Sequence, residues 1–169
     1  MEDKRLDKVF DSAKDNELNC TGCAQSTVAA VMDVLGIKDE SAFRAASGLS
    51  MGVGLTGDGT CGALTGGAIA IGLLFGRTSK EFEDPGAAMR AYDLVRLLYD
   101  DFRARYGTAR CNDIQVKLMG RFYDMDKDED YEAALADGMR DHCSVLVGNA
   151  ARKTLEIILN AKAEDEAQT

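Results

Sequence analysis

The chain has one histidine, His142, and one proline, Pro85, in 169 residues. A single histidine excludes His-rich metal sites and catalysis by several histidines. It adjoins Cys143, but neighbouring positions on a helix point about 100° apart, which works against a Cys–His nucleophile pair. Basic side chains are also in short supply, 20 against 29 acids, for a net charge of −9. That balance disfavours non-specific binding to nucleic acid or to an anionic membrane. Long apolar runs are missing. The longest, "AIAIGLLF" at 68–75, is too short to span a bilayer. The opening "MEDKRLDKVFDSAKD" has no apolar stretch of the secretory-signal kind. The expected setting is therefore cytoplasmic, where thiols are held reduced. Sustained two-residue alternation rich in β-branched residues is absent too, which argues against a sheet.

What is present is helical periodicity. Leu6, Val9, Phe10 and Ala13 recur at helical spacing, as do Cys23, Thr27, Val31, Val34 and Leu35, with Gly36 as a stop. A short piece follows at 40–47, a long helix at 86–106 opened by Pro85, and another at 111–118. Cys143, Leu146, Val147, Ala150, Thr154, Ile157, Ile158 and Ala161 form one apolar stripe. The expectation is an all-α, single-domain helical bundle over 1–169, with residues from about 163 onward frayed. A chain of this length can bury roughly 70% of its unfolded surface without disulfide staples. Ten of the 17 glycines lie between 48 and 76. The sequence predicts a glycine loop over 48–59, then a Gly/Ala-rich central helix from Cys61. Each helical glycine costs about 1 kcal/mol relative to alanine, so close packing or a bound group must offset several of them.

Three familiar motifs fail on inspection. Gly52, Gly54 and Gly57 spell G-x-G-x-x-G, but helical sequence precedes them and no βαβ unit surrounds them. Gly54 and Gly59 are followed by Thr60 and Cys61, which is not a P-loop ending. "DMDKDEDYEAAL" at 124–135 offers Asp124, Asp126 and Asp128 at the first calcium-loop positions. However, Glu129 stands where glycine is required and Leu135 where the bidentate glutamate belongs. A solvated acidic turn is expected there.

The cysteines carry the chemistry. Five in a reducing setting point to metal, redox or catalysis rather than structural disulfides, and an odd number cannot pair completely within the chain. Each lies at or near an expected helix start: Cys20 and Cys23 after Asn19, Cys61 after Thr60, Cys111 opening "CNDIQVKLMG", and Cys143 after Asp141. Helix N-termini favour thiolate over thiol. Against this stands the ordinary use of cysteine as a small buried apolar residue.

The segments "NCTGCAQSTVAAVMDVLG", "GLSMGVGLTGDGTCGALTGGAIAIGLLFGR", "RCNDIQVKLMG" and "HCSVLVGNAARKTLEIIL" together resemble the C-GCAxxG-C-C family, small helical proteins described as redox-active. The family's C-G-A-x-x-G motif stands here as Cys61-Gly62-Ala63-Leu64-Thr65-Gly66, and Cys23, Cys111 and Cys143 match its other cysteines. Cys20 looks additional. The resemblance implies cysteine redox chemistry, by thiol–disulfide exchange or electron transfer. Cys23 is the nucleophile in that reading and Cys20 or Cys61 resolves it, with a redox protein or a small thiol or disulfide as partner. A second reading gives Cys23, Cys61, Cys111 and Cys143 to an iron–sulfur cluster or other metal, with the backbone at Gly59 and Gly62 beside the sulfurs. A third is a non-catalytic interaction protein, its cysteines in the core and its Gly/Ala-rich helix forming a homodimer.

Overall fold

The computed structural model describes residues 4–167 and contains eight α-helices: α1 Lys4–Cys20, α2 Cys23–Leu35, α3 Glu40–Ala45, α4 Gly62–Phe75, α5 Met89–Tyr106, α6 Cys111–Met119, α7 Asp128–Ala136 and α8 Met139–Ala167. Among the described residues there is no strand, only an isolated antiparallel bridge between Thr60 and Arg110. The protein is all-α. No helix of the described residues is long and apolar enough to cross a membrane.

α8 is the spine. α1, α2, α4 and α5 all pack along it. The apolar stripe read from the sequence is buried from Leu146 onward, with Cys143 half-buried at its start, and Ser144, Gly148, Ala151 and Leu155 between its members are buried as well. A narrow stripe of Val145, Asn149, Arg152, Lys153, Glu156 and Asn160 is left partly or fully open to solvent along its middle. Val9 and Ala13 of α1, Val31 of α2, Ile71 of α4, and Leu98 and Phe102 of α5 complete the core around it.

The glycines of α4 explain themselves by distance. A Cβ on Gly66 would lie 2.4 Å from the Ala24 carbonyl oxygen, and one on Gly67 2.4 Å from Thr154 Oγ1 and 2.6 Å from Leu98 Cδ2. The helix therefore meets α2 on one side and α5 and α8 on the other at a separation only glycine permits. The close approach that suggested a dimer interface is, at these positions, used within the chain.

Four local expectations change. α8 stays helical past Lys162 to Ala167, held by Arg90 bonding to Glu164 and Asp165, instead of fraying at 163. The last two residues of the expected tail lie outside the described residues. Asn19 caps nothing: it sits in the last turn of α1, where its Nδ2 donates to the Asp15 carbonyl. Gly22 is the N-cap of α2. Pro85 opens a 3-10 turn, Pro85–Ala88, and the α-helix proper begins at Met89. The acidic stretch is partly helical: Asp128, Glu129 and Asp130 form the first turn of α7, where the helix dipole favours acids.

A cavity lined by four cysteines

Between Ala46 and α4 the chain adopts an unusual backbone. Met51, Gly52, Val53, Gly54 and Leu55 all have positive φ, between 51° and 74°. This is a left-handed turn in which only two of the five residues are glycine. Each of the other three costs roughly 1–2 kcal/mol there, so the surroundings must hold it. They do so through backbone bonds: Gly57 N–H to Met51 O, Gly59 N–H to Gly52 O, and Gly54 N–H to Gly48 O.

The same loop is clipped to the start of α6. Asn112 N–H donates to Gly57 O, Cys111 N–H to Gly59 O, and Cys61 N–H to Ala109 O. This short antiparallel register sets Cys61 beside Cys111. Gly57 and Gly52 are glycine for steric reasons also. A Cβ on the first would lie 1.7 Å from Asn112 Oδ1, and on the second 3.0 Å from Cys111 Cβ.

Cys23 is the first residue of α2, Cys61 the N-cap of α4, and Cys111 the first residue of α6. Cys143 is not at a helix start, because α8 begins four residues earlier at Met139. All four line one cavity of about 430 Å³. The rest of its wall is largely apolar and rich in sulfur, with Met51, Met125, Met139, Leu55, Leu135 and Leu146 among the lining residues. Cys20 is exposed at the end of α1 and does not line the cavity, whereas Thr21, Gly22 and Cys23 do. The C-x-x-C therefore spans the corner between two helices and turns its two thiols to different surroundings. All five cysteines are free thiols.

Neither Gly59 nor Gly62 is part of the cavity wall. Gly59 has both backbone groups engaged, to Gly52 O and from Cys111 N–H. Gly62 is pressed against the Cys23 sulfur, 2.3 Å from where its Cβ would be. Both glycines allow the cysteine-bearing segments to come close together.

The electrostatics reverse the expectation of reactive thiolates. Burial pushes the Cys23 thiol up to about 11 from an ordinary 9.0; the nearby Glu17 charge adds to this and the Met51 N–H, 3.4 Å from Sγ, opposes it. Burial also raises Cys61 well above its ordinary value, with charge on Cys23, Cys111 or Cys143 working in the same direction. Cys143 is raised by burial first, then by Cys23 and Glu17. Cys111 is raised by burial, against the hydrogen bond from Gln115 Nε2 at 3.4 Å. A helix N-terminus contributes at most about 2 kcal/mol to a charged group, whereas burial can move an ionisation by 3–5 pKa units at about 1.4 kcal/mol each. Desolvation wins, and the cavity holds neutral thiols. Each thiolate formed would also oppose the next.

Two polar residues at this site escaped the sequence reading. Glu17 is a carboxylate buried at the end of α1, accepting from Ser26 Oγ at 3.0 Å. Burial raises its ionisation above the ordinary carboxylate range, against the Ser26 bond and the Arg140 charge. Gln115, also buried, joins Cys111 to the following loop: its Nε2 donates to Cys111 Sγ and its Oε1 accepts from Tyr123 N–H. The available signal was position on the inner helical face, four residues after Ala13 for Glu17 and after Cys111 for Gln115.

Among the described residues no group of three or more His, Cys, Asp or Glu is placed to hold one ion.

Comparison with curated proteins and with solved structures found no significant match. The family described as "Putative redox-active protein (C_GCAxxG_C_C)" matches residues 21–157, a span that contains Cys23, Cys61, Cys111 and Cys143 and begins just beyond Cys20. By that match over most of its length, the chain belongs to the C_GCAxxG_C_C family of redox-active proteins.

Proposed function

We propose that the protein carries out thiol–disulfide exchange inside this cavity, with a small, largely apolar disulfide or the corresponding thiol as its partner. The observation that carries the reading is the meeting of Cys23, Cys61, Cys111 and Cys143 on the wall of one cavity whose remaining lining is mainly apolar. In the forward direction a cysteine sulfur attacks a substrate sulfur, forming a mixed disulfide and releasing one substrate thiol. A second cavity cysteine then attacks the mixed disulfide and releases the other. Two cysteine thiols are oxidised to one disulfide and one substrate disulfide is reduced to two thiols, so electrons and protons balance. Cys23 suits the first attack. It sits beside the loop wall, receives the Met51 N–H, and is pushed up less far than Cys143.

Because burial keeps the cavity thiols protonated, this is a slow reaction in the absence of a proton acceptor, and a selective one. A thiol that ionises only when a substrate or base engages it resists adventitious oxidation.

Anaerobic purification followed by titration with a small neutral disulfide tests the proposal. Metal-free protein that loses cavity thiols reversibly, with mass-mapped disulfides among the four cysteines, supports it. A coloured protein with stoichiometric iron and about four thiols masked would replace it with the cluster reading, and unreactive thiols without metal would leave the cysteines as core residues.

A further inference from the structure

We infer that Glu17 is the proton acceptor for the cavity thiols, taking the proton from Cys23 as its sulfur attacks the substrate disulfide. The inference rests on the thiol–disulfide reading above. Glu17 is 8% exposed, yet it lines the cavity together with the four cysteines. A carboxylate buried at a largely apolar wall, held by a hydrogen bond from the Ser26 hydroxyl, is a poor stabilising device. It is a good base, because burial weakens its hold on the ionised form and so strengthens its affinity for a proton. Position supports the role. Glu17 is in the last turn of α1, and the chain turns through Thr21 and Gly22, whose positive φ values of 58° and 98° bring Cys23 back towards it. Thr21 N–H donates to the Glu17 carbonyl, closing that corner. The Glu17 charge acts on Cys23 and Cys143 alike, so it stands within electrostatic reach of thiols from two different helices.

The step balances as follows. The Cys23 S–H bond breaks and its proton passes to the Glu17 carboxylate. A Cys23–substrate S–S bond forms while the substrate S–S bond breaks, oxidising the Cys23 sulfur and reducing the departing one. The proton on Glu17 then passes to the departing thiolate, restoring the carboxylate. The titratable and charged groups facing this cavity besides Glu17 are Cys23 of α2, Cys61 before α4, Cys111 of α6, Tyr131 of α7, and Arg140 and Cys143 of α8. The Arg140 charge opposes the effect of burial and favours the ionised carboxylate, the state a base requires.

The test uses the full chain with Cys20→Ser, so that the exposed thiol does not report, and 2-hydroxyethyl disulfide as the probe. Mixed-disulfide formation at each cysteine is followed by mass spectrometry from pH 5 to 10 for this protein and for Glu17→Gln in it. The expected result is a loss of about tenfold or more in rate at pH 7 for Glu17→Gln, with the difference closing towards pH 10 as hydroxide replaces the base. A bystander carboxylate predicts the opposite sign: removing its negative charge makes Cys23 and Cys143 easier to ionise, so Glu17→Gln would react as fast or faster. That outcome overturns the role of Glu17 while leaving the exchange reading intact. If the parent protein forms no mixed disulfide at any pH, the exchange reading fails and this inference with it. Should Glu17→Gln not fold, Ser26→Ala keeps the carboxylate and removes the hydrogen bond that lowers its ionisation. The pH at which exchange is lost on acidification must then rise, and an unmoved acid limb overturns the inference.

Discussion

The Sγ of Cys23 occupies the place where a side chain on residue 62 would begin. A Cβ built on Gly62 would lie 2.3 Å from that sulfur and 3.1 Å from the Ala24 backbone nitrogen. The glycine after Cys61 is therefore a packing partner of a thiol 39 positions earlier in the chain. One further turn along α4, Gly66 performs the same office against the Ala24 carbonyl. The spacing of the C-G-A-x-x-G motif is the spacing of two successive contacts between α4 and α2, with Ala63, fully buried, between them.

Gly62→Ala tests this directly. The added methyl must displace either the Cys23 thiol or the α2–α4 contact, so a loss of about 1–3 kcal/mol in stability is expected, together with a changed rate of Cys23 alkylation. Gly72→Ala in the same helix has open space around its Cβ. It should stabilise the protein by about 0.5–1 kcal/mol through helix propensity. Chemical denaturation of the two variants checks both signs. Equal effects would refute the packing account.

Thiol reactivity should divide the five cysteines into two classes. Cys20 is exposed, whereas the other four line the cavity and are held protonated by burial. Iodoacetamide at pH 7 should label Cys20 first, by an order of magnitude or more in rate if thiolate fraction governs. Cys20→Ser should leave most of the exchange activity, and Cys61→Ser should abolish it. Peptide mapping of the labelled protein decides the first point and disulfide titration the second.

Stability should fall in alkali. Cys23 ionises near 9.0 when unfolded and at about 11 in the folded protein, so the native state holds its proton where the unfolded state has released it. The stability this represents is fully present below pH 9 and is lost as pH rises towards 11, on the order of 3 kcal/mol for this group. Cys143, raised further, extends the loss to higher pH, and Cys61, also raised by burial, acts in the same direction. A melting-temperature series from pH 7 to 11 should slope downward above 9. Cys23→Ser, which removes one titrating group, should flatten it.

Gln115→Leu removes two hydrogen bonds at once. Cys111 loses the donor that favours its thiolate, and the Tyr123 N–H loses its buried acceptor. A destabilisation of about 1–3 kcal/mol is expected from the orphaned amide, with Cys111 alkylation shifted to still higher pH. Hydrogen exchange at Tyr123 and residue-resolved labelling read the two effects separately.

Much of the helical organisation was legible because it is written locally. The Val9–Ala13 face, the Cys23–Leu35 helix closed by Gly36 with φ of 68°, and the long stripe from Cys143 to Ala161 all follow from spacing and stop signals. Local rules misplaced Asn19, an acceptable cap whose neighbours prefer to continue α1, and the acidic stretch, where acids at 128–130 suit the first turn of α7. They also missed the end of α8, because its support comes from Arg90, 74 positions from Glu164.

The sequence by itself determined the all-α class, the family motif and the identity of the four cysteines in it, since each depends on spacing along the chain. Tertiary structure decided what surrounds those cysteines. It turned Cys20 outward and Cys23 inward, set Cys61 against Cys111 through the 57–61 clip, and placed the buried Glu17 beside them. It also reversed the expected ionisation of the thiols. A helix end acts over one turn and can be read from sequence, but desolvation is summed over every element that closes the cavity, and the larger effect prevails.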